Sequence, residues 1–338
     1  MKIGRVDLNK EILVISEIGN NHEGNFGLAK AMISASAKEG AHVVKFQTIV
    51  PDKLVSVKEI ETINLFRKFQ FSQEQFQELK EYADTQGIMF MSTPFDVESV
   101  GFLDRLVPAF KIASGDNNYW PLIESVADTG KPIILSTGMA DFQDICNTKR
   151  FIESCWHERE IEQELIILHC VSLYPTPPAL VNLMSVRYLS EKLESIVGFS
   201  DHTIGLDAAT IAIALGARVI EKHFTLDKNY SDFPDHAISM DPKDLGELVR
   251  RVKETEVMLG EYGVVIEEKQ GEIAKIARRS IVAKTNLPAG TKLEWNNLNW
   301  VRPGDGLPPG KEDQLLGKIL NRDISCGELI MPCDLTSD

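Results

Sequence analysis

Eight short apolar runs recur along the first two thirds of the chain, and each closes on a polar residue able to do chemistry. They are Ile12 to Glu17, His42 to Gln47, Ile88 to Thr93, Ala109 to Ser114, Pro132 to Ser136, Leu165 to His169, Ile196 to His202 and Val219 to His223. Runs this short, bounded by turn residues, read as buried strands. Between them lie amphipathic stretches with helical spacing: Phe26 to Lys38, Ser72 to Gln86, Asp96 to Leu106, Tyr119 to Asp128, Asp141 to Cys155, Val186 to Leu193, Asp207 to Leu215 and Pro242 to Leu259. Asn25, Ser72, Asp96 and Asp141 stand where helix N-caps belong. Gly40, Gly87, Gly130 and Gly216 stand where a helix-to-strand turn needs a left-handed residue. Strand and helix alternating eight times predicts a parallel α/β sheet closed into a TIM (β/α)8 barrel. A doubly wound open sheet is the competing arrangement. In a barrel the C-terminal strand ends share one face, so the polar residues closing the runs converge there.

The texture changes after about Gly260. Glu267 to Arg279 is a charged stretch suited to a solvated helix or linker. Beyond it, Ser280 to Lys284, Leu287 to Leu293, Leu298 to Gly306 and Ile324 to Ile330 are short β-rich pieces separated by turns. The expected organisation is a barrel over residues 1–265, a linker over 266–279 and a β-rich domain over 280–338. So small a domain has little core of its own and should lean on a barrel, its own or a partner's.

The chain has 338 residues, more than the roughly 250 one barrel requires. A formal charge of −14 excludes a nucleic-acid binder, so an anionic substrate must meet a local positive pocket. Five cysteines without C-x-x-C spacing, and a start lacking a signal sequence, point to a reducing cytoplasm. Charges interrupt every apolar stretch well short of the roughly 18 residues of a membrane span.

The candidate chemistry sits at the strand ends. His202 and His223 close the last two strands, and adjacent strands about 4.8 Å apart bring two imidazoles within reach of one divalent ion. Lys45 and Lys111 lie inside strands, where a charge is costly unless an anion meets it. Thr93, Ser114, Ser136 and Ser200 offer hydroxyls to that anion, or else cap the following helices. Glu17 and Asp116 can move a proton or position water, or simply pair with the lysines. His22, in the first βα loop, can line the pocket, and His169 can support the sixth strand. Spacing alone makes Arg302 a solvated loop residue.

These residues lie in recognisable motifs. Ile18 to Gly24, Val44 to Thr48, Phe90 to Phe95, Lys111 to Gly115, Ile134 to Met139, Leu168 to Cys170 with Tyr174 to Pro177, Gly198 to Thr203 and Ile220 to Thr225 resemble, in order along the chain, the sialic acid synthases. The tail from Arg279 through Arg302 to Lys318 resembles that family's antifreeze-like, or SAF, domain. The resemblance implies a nonulosonate synthase condensing phosphoenolpyruvate with N-acetylmannosamine or a related hexosamine, plus water, to a 2-keto-3-deoxy nonulosonic acid and phosphate. It implies a TIM barrel in a domain-swapped homodimer. Carried onto this chain, Lys45, Thr93, Lys111, Ser114, Ser136 and Ser200 would hold phosphoenolpyruvate. Gln47, Tyr174, Asp235 and the partner's Arg302 would hold the sugar, while His202 and His223 would bind Mn²⁺ or Mg²⁺. Ser172, a further candidate sugar contact, replaces the Asn or Thr common in relatives, and Asp116 replaces a Glu. Ser231 to Ala237 lacks the Gly-Pro-Asp start that several relatives show, which points to an acceptor other than plain N-acetylmannosamine. Legionaminic and pseudaminic acid synthases are the nearest variants, then other phosphoenolpyruvate-dependent 2-keto-3-deoxy sugar acid synthases. The reading from a different class is an ice-binding or carbohydrate-binding module on a degenerate barrel.

Overall fold

The computed structural model describes residues 1–336, which separate into two compact units, Met1–Gly260 and the chain from Glu261 onward. In the first unit a two-stranded antiparallel hairpin, β1 (Lys2–Ile3) and β2 (Val6–Asp7), precedes eight parallel strands. These are β3 (Leu13–Gly19), β4 (Val43–Thr48), β5 (Met89–Pro94), β6 (Phe110–Ile112), β7 (Ile133–Ser136), β8 (Leu165–Cys170), β9 (Ile196–Asp201) and β10 (Val219–His223). Seven hydrogen-bonded ladders run in the order β5-β4-β3-β10-β9-β8-β7-β6. The ends of that row, β5 and β6, lie side by side and complete the ring. The expected α/β barrel is the observed one.

Local sequence sets the elements. Asn25 Oδ1 accepts from Leu28 N at 3.0 Å, Asp96 Oδ1 from Ser99 N at 3.1 Å, and Ser72 and Asp141 both form capping boxes. Each such cap satisfies an amide that the helix itself leaves unpaired. Gly40, Gly87, Gly130 and Gly216 all have positive φ, so the helix-to-strand turns fall where an L side chain would be strained. Helices absent from the sequence-based expectation are Pro51–Leu54, Ile60–Phe69 and the single turn Asp235–Ile238. All three lie within loops on the C-terminal side of the strands.

Alternation along the strands then divides the core in two. Residues facing outward, such as Val14, Val44, Phe90, Ile112, Ile167 and Ile220, pack with the helices in one large apolar cluster. Those facing inward, Leu13, Ile15, Val43, Met91, Ala109, Ile134, Ile166, Leu168 and Val219, fill the barrel. Ile3, Val6 and Leu8 pack with this inner set, so the hairpin plugs the N-terminal end. Apolar contents and a plug at one end leave the other end for the polar side chains.

In the second unit, β11 (Ser280–Ala283) pairs antiparallel with β12 (Leu298–Val301). Isolated bridges such as Leu287 to Ile324 and Lys292 to Ile319 extend the β framework around a core that includes Ile281, Leu293, Leu315 and Ile330. The charged stretch holds a helix, Gln270–Ala277, none of whose residues is buried.

Candidate active site

The inward-facing rows change from apolar to polar at one height. On β3, Leu13 and Ile15 are followed by Glu17; on β4, Val43 by Lys45 and Gln47; on β10, Val219 by Glu221 and His223. Register aligns them: Glu17 sits opposite Lys45 on one side and His223 on the other, and Glu221 sits opposite Ser200. The result is a cavity of about 270 Å³ lined by Glu17, Lys45, Gln47, Thr93, Lys111, Ser114, Ser136, Ser172, Tyr174, Ser200, His202, Glu221 and His223, with Cys170 beside them. A larger chamber of about 510 Å³ adjoins it through Met139, Cys170 and Ser172. The smaller cavity holds the ionisable groups and is where chemistry can occur.

Two lysines and two carboxylates dominate its floor. Lys45 Nζ is 2.7 Å from Glu17 Oε2, 3.6 Å from Glu221 Oε2, and donates to Thr93 Oγ1 at 3.1 Å. Lys111 Nζ donates to Ser136 Oγ at 2.6 Å and to the Ile112 carbonyl at 3.2 Å, with Glu221 Oε1 at 3.7 Å. Ser200 Oγ donates to that same Glu221 oxygen at 3.1 Å.

The two carboxyls are pushed apart. Burial, which outweighs the attraction of Lys45, raises Glu17 to about 7. Glu221 is buried too, but Lys111 and Lys45 together hold it down at about 2. Carboxylates split this way are fit for different work, one moving a proton and the other remaining a fixed charge. Burial lowers Lys111 below the ordinary lysine range despite Glu221. Glu221 alone therefore does not offset the burial of this ammonium, and a further anion beside it would be stabilised.

The imidazoles lie on the same rim, with ring centroids 5.5 Å apart, and the Tyr174 ring lies tilted against His202 at 4.1 Å. His202 Nδ1 is 3.0 Å from the Val171 carbonyl, a contact that requires its hydrogen there, so the ring's other proton is the one a metal would displace from Nε2. Burial lowers this imidazole, but Cys170 and the Val171 carbonyl outweigh burial and raise it above the ordinary range. Burial, then His202 and Lys45, keep His223 well below the ordinary imidazole range and hence neutral. His223 Nδ1 is buried without a hydrogen-bond partner. An unpartnered ring nitrogen at the mouth suits a cation, and two adjacent imidazoles, once deprotonated, suit a divalent transition metal. Among the described residues no set of three or more His, Cys, Asp or Glu is arranged to hold an ion. Water and substrate oxygens would complete its shell.

Of the remaining candidates, Asp235 is outside the cavity lining but 3.8 Å from His223 Nδ1. Asp116 lies on a 3₁₀ turn after β6, next to the lining Gly115, with its own side chain outside the lining set. Burial raises its carboxyl to about 6. Arg302 follows β12 in the second unit and is exposed. His22 does not line the cavity: it is buried beneath Phe71, stacked at 4.2 Å, and its Nδ1 accepts from Gly24 N. That correction follows from the loop folding inward, which uses the ring to fill space. His169 packs on Phe199 and bonds the Val181 carbonyl through Nε2, a supporting role for the sixth barrel strand. Sequence reasoning missed Glu221 and Cys170. Glu221 was findable, because it is two residues before His223 on a strand and must share its face.

A barrel mouth carrying a buried lysine pair, a split carboxyl pair and two adjacent imidazoles has the make-up of an enzyme site for a small anionic substrate. Comparison with known proteins then fixes the family. The NeuB family model matches residues 32–263 and the SAF domain model residues 278–336, so the chain belongs to the NeuB family and carries a SAF domain. It is 43% identical to an uncharacterized protein of Methanocaldococcus jannaschii, with 96% of this chain and 94% of that one covered. It is 34% identical to the N,N'-diacetyllegionaminic acid synthase of Legionella pneumophila, covering 94% and 93%. Among solved structures, the N-acetylneuraminic acid synthetase of Leptospira borgpetersenii, in complex with citrate, superposes with a TM-score of 0.76 at 32% identity, covering 81% of this chain and 94% of that one. The protein is therefore an enzyme of the nonulosonate synthase family. Among the described residues no helix is long and apolar enough to cross a membrane.

Proposed function

We propose that the protein condenses phosphoenolpyruvate with N-acetylmannosamine or a related N-acylated hexosamine, plus water, giving a 2-keto-3-deoxy nonulosonic acid and inorganic phosphate. The observation carrying this reading is the buried lysine pair sharing one cavity with Glu17 and two adjacent imidazoles. Lys45 and Lys111 neutralise the charges of phosphoenolpyruvate, and Thr93, Ser114, Ser136 and Ser200 donate to its oxygens. Gln47, Ser172, Tyr174, Asp235 and the partner's Arg302 hold the sugar. His202 and His223 would hold Mn²⁺ or Mg²⁺, which when bound supplies Lewis-acid polarisation of the sugar's open-chain aldehyde.

Carbon 3 of phosphoenolpyruvate forms the new bond to the aldehyde carbon as the double-bond electrons leave carbon 2, and the aldehyde oxygen takes the proton of Glu17 and becomes a hydroxyl. Water adds to the electron-deficient carbon 2 and yields a proton to Glu17, whose pKa near neutrality fits that task. The tetrahedral centre then expels phosphate with both carbon–oxygen bond electrons, its hydroxyl proton passes to the departing phosphate, and the keto acid remains. Asp116 assists proton movement from the rim. The buried lysines exclude water from the rest of the anion's surface and fix its orientation.

The domain-swapped homodimer is part of this proposal, and the exposed Ile273 and Ile276 of the unburied helix Gln270–Ala277 give it apolar surface for a second chain to cover. The five free cysteines support a reducing, cytoplasmic setting. The test is mass analysis of the product from phosphoenolpyruvate, Mn²⁺ and a panel of hexosamines that includes diacetamido sugars. Metal-dependent phosphate release with a nonulosonic acid mass is expected. Absence of phosphate release with every hexosamine overturns the reading.

A further inference from the structure

We infer that Glu23, through His236, is the positioning residue that sets acceptor-sugar affinity, by holding the loop that carries Asp235 against the cavity. This rests on the acceptor reading above. The segment between β10 and the helix Pro242–Leu259 leaves the barrel and returns, closed at its base by Thr225 N bonding the Met240 carbonyl and Met240 N bonding that of His223. Its tip carries the turn Asp235–Ile238, whose first residue reaches toward His223.

Side chains of the first βα loop tie that tip down. His236 is fully buried, with Nδ1 2.8 Å from Thr225 Oγ1 and Nε2 3.0 Å from Glu23 Oε1. A carboxylate only accepts, so Nε2 carries the hydrogen. Ser231 Oγ donates to the same Glu23 oxygen, and Phe233 N donates to Ser231 Oγ at 3.0 Å. Asn21, also fully buried, donates to the Phe224 carbonyl and to Ser239 Oγ, both at 2.9 Å, and Ser239 in turn donates to the Asp235 carbonyl at 2.6 Å. One carboxylate therefore gathers both ends of the 231–236 excursion. Neither Glu23 nor His236 lines the cavity. Loosening them moves Asp235 and leaves the lysines and hydroxyls of the anion pocket in place.

The test is steady-state kinetics on the full-length, metal-loaded enzyme, with the acceptor and phosphoenolpyruvate varied separately. Glu23→Ala and His236→Ala are each expected to raise acceptor KM about ten-fold, the scale of one lost charge-assisted hydrogen bond. Phosphoenolpyruvate KM should stay within about two-fold, and the double variant should be worse by clearly less than the product of the two single effects, because the two share the Glu23–His236 linkage. Glu23→Gln keeps an accepting oxygen and should restore acceptor KM. Amide exchange at Ser239, whose N–H bonds the His236 carbonyl, should quicken in Glu23→Ala and recover in Glu23→Gln, a readout independent of turnover. If Glu23→Ala does not fold, Glu23→Asp carries the test: its carboxylate is retracted by one methylene and the same selective KM rise is expected. An unchanged acceptor KM, or equal rises for both substrates, overturns the inference. A wild-type enzyme inactive with every acceptor instead overturns the function it rests on.

Discussion

Replacing Lys111 by Met separates the anion-pocket argument from any role for this lysine in stability. Its ammonium faces Glu221 Oε1 at 3.7 Å, a gross attraction of about 4 kcal/mol at an effective dielectric constant near 20. Against this stand the several kcal/mol needed to bury an ammonium and repulsion from Lys45. The balance is unfavourable, because the Lys111 pKa falls rather than rises, with burial as the largest cause. Met fills a similar volume, and Glu221 keeps Lys45 at 3.6 Å and the Ser200 hydroxyl at 3.1 Å. The melting temperature of Lys111→Met should therefore equal or exceed that of wild type. Phosphoenolpyruvate loses a desolvated, charge-assisted partner of about 3 kcal/mol, which is roughly a 100-fold rise in Kd. Calorimetric titration and a thermal melt on the same preparation measure both. A variant that melts several degrees lower yet binds phosphoenolpyruvate normally would show that Lys111 is a structural ion-pair partner, and the anion-pocket reasoning would be wrong.

Other expected outcomes rest on separate features. Exchanging either His202 or His223 for Ala should abolish Mn²⁺ binding seen by electron paramagnetic resonance with little loss of fold; a metal-replete double variant would contradict the assignment. Glu17 has a folded-state pKa near 7 against an ordinary 4.5, so its stabilising contribution is complete below about pH 4.5 and is lost as pH rises through 7. That difference amounts to about 3 kcal/mol. Glu17→Gln should flatten this part of the stability-against-pH curve, measured by urea unfolding between pH 5 and pH 8, and an unchanged slope would count against the burial argument. A Cβ on Gly198 would stand 2.4 Å from the Val219 carbonyl and 2.6 Å from Leu168 Cδ2, so Gly198→Ala should cost about 1–3 kcal/mol in the same assay. No measurable loss would mean that β9 and β10 can separate at that point.

The barrel was legible in the chain because its signals are local. A five- to seven-residue apolar run, a capping Asn or Asp and a left-handed glycine each act within a few residues, and their eightfold repetition leaves few closed arrangements. The same locality exposed His202, His223, Lys45 and Lys111, since an ionisable residue within an apolar strand is conspicuous wherever the strand ends up. Glu221 went unnoticed because the reading stopped at strand ends, although alternation with His223 put it on the same face. The loops were harder. His22 read as a lining residue, but its ring turns inward to stack on Phe71, a partner 49 positions away in the chain that no periodicity links to it.

What the sequence determined by itself is which residues carry charge into the barrel and at which end they emerge, because strand period and direction follow from short-range sterics. What only the tertiary structure decided is the state of those charges. The pKa of Glu17 near neutrality, the depressed Lys111 and the neutral His223 arise from burial and from groups on different strands. The hold of Glu23 on His236 joins residues 213 positions apart. Electrostatic energies depend on distances and desolvation, and both are set only when the ring closes.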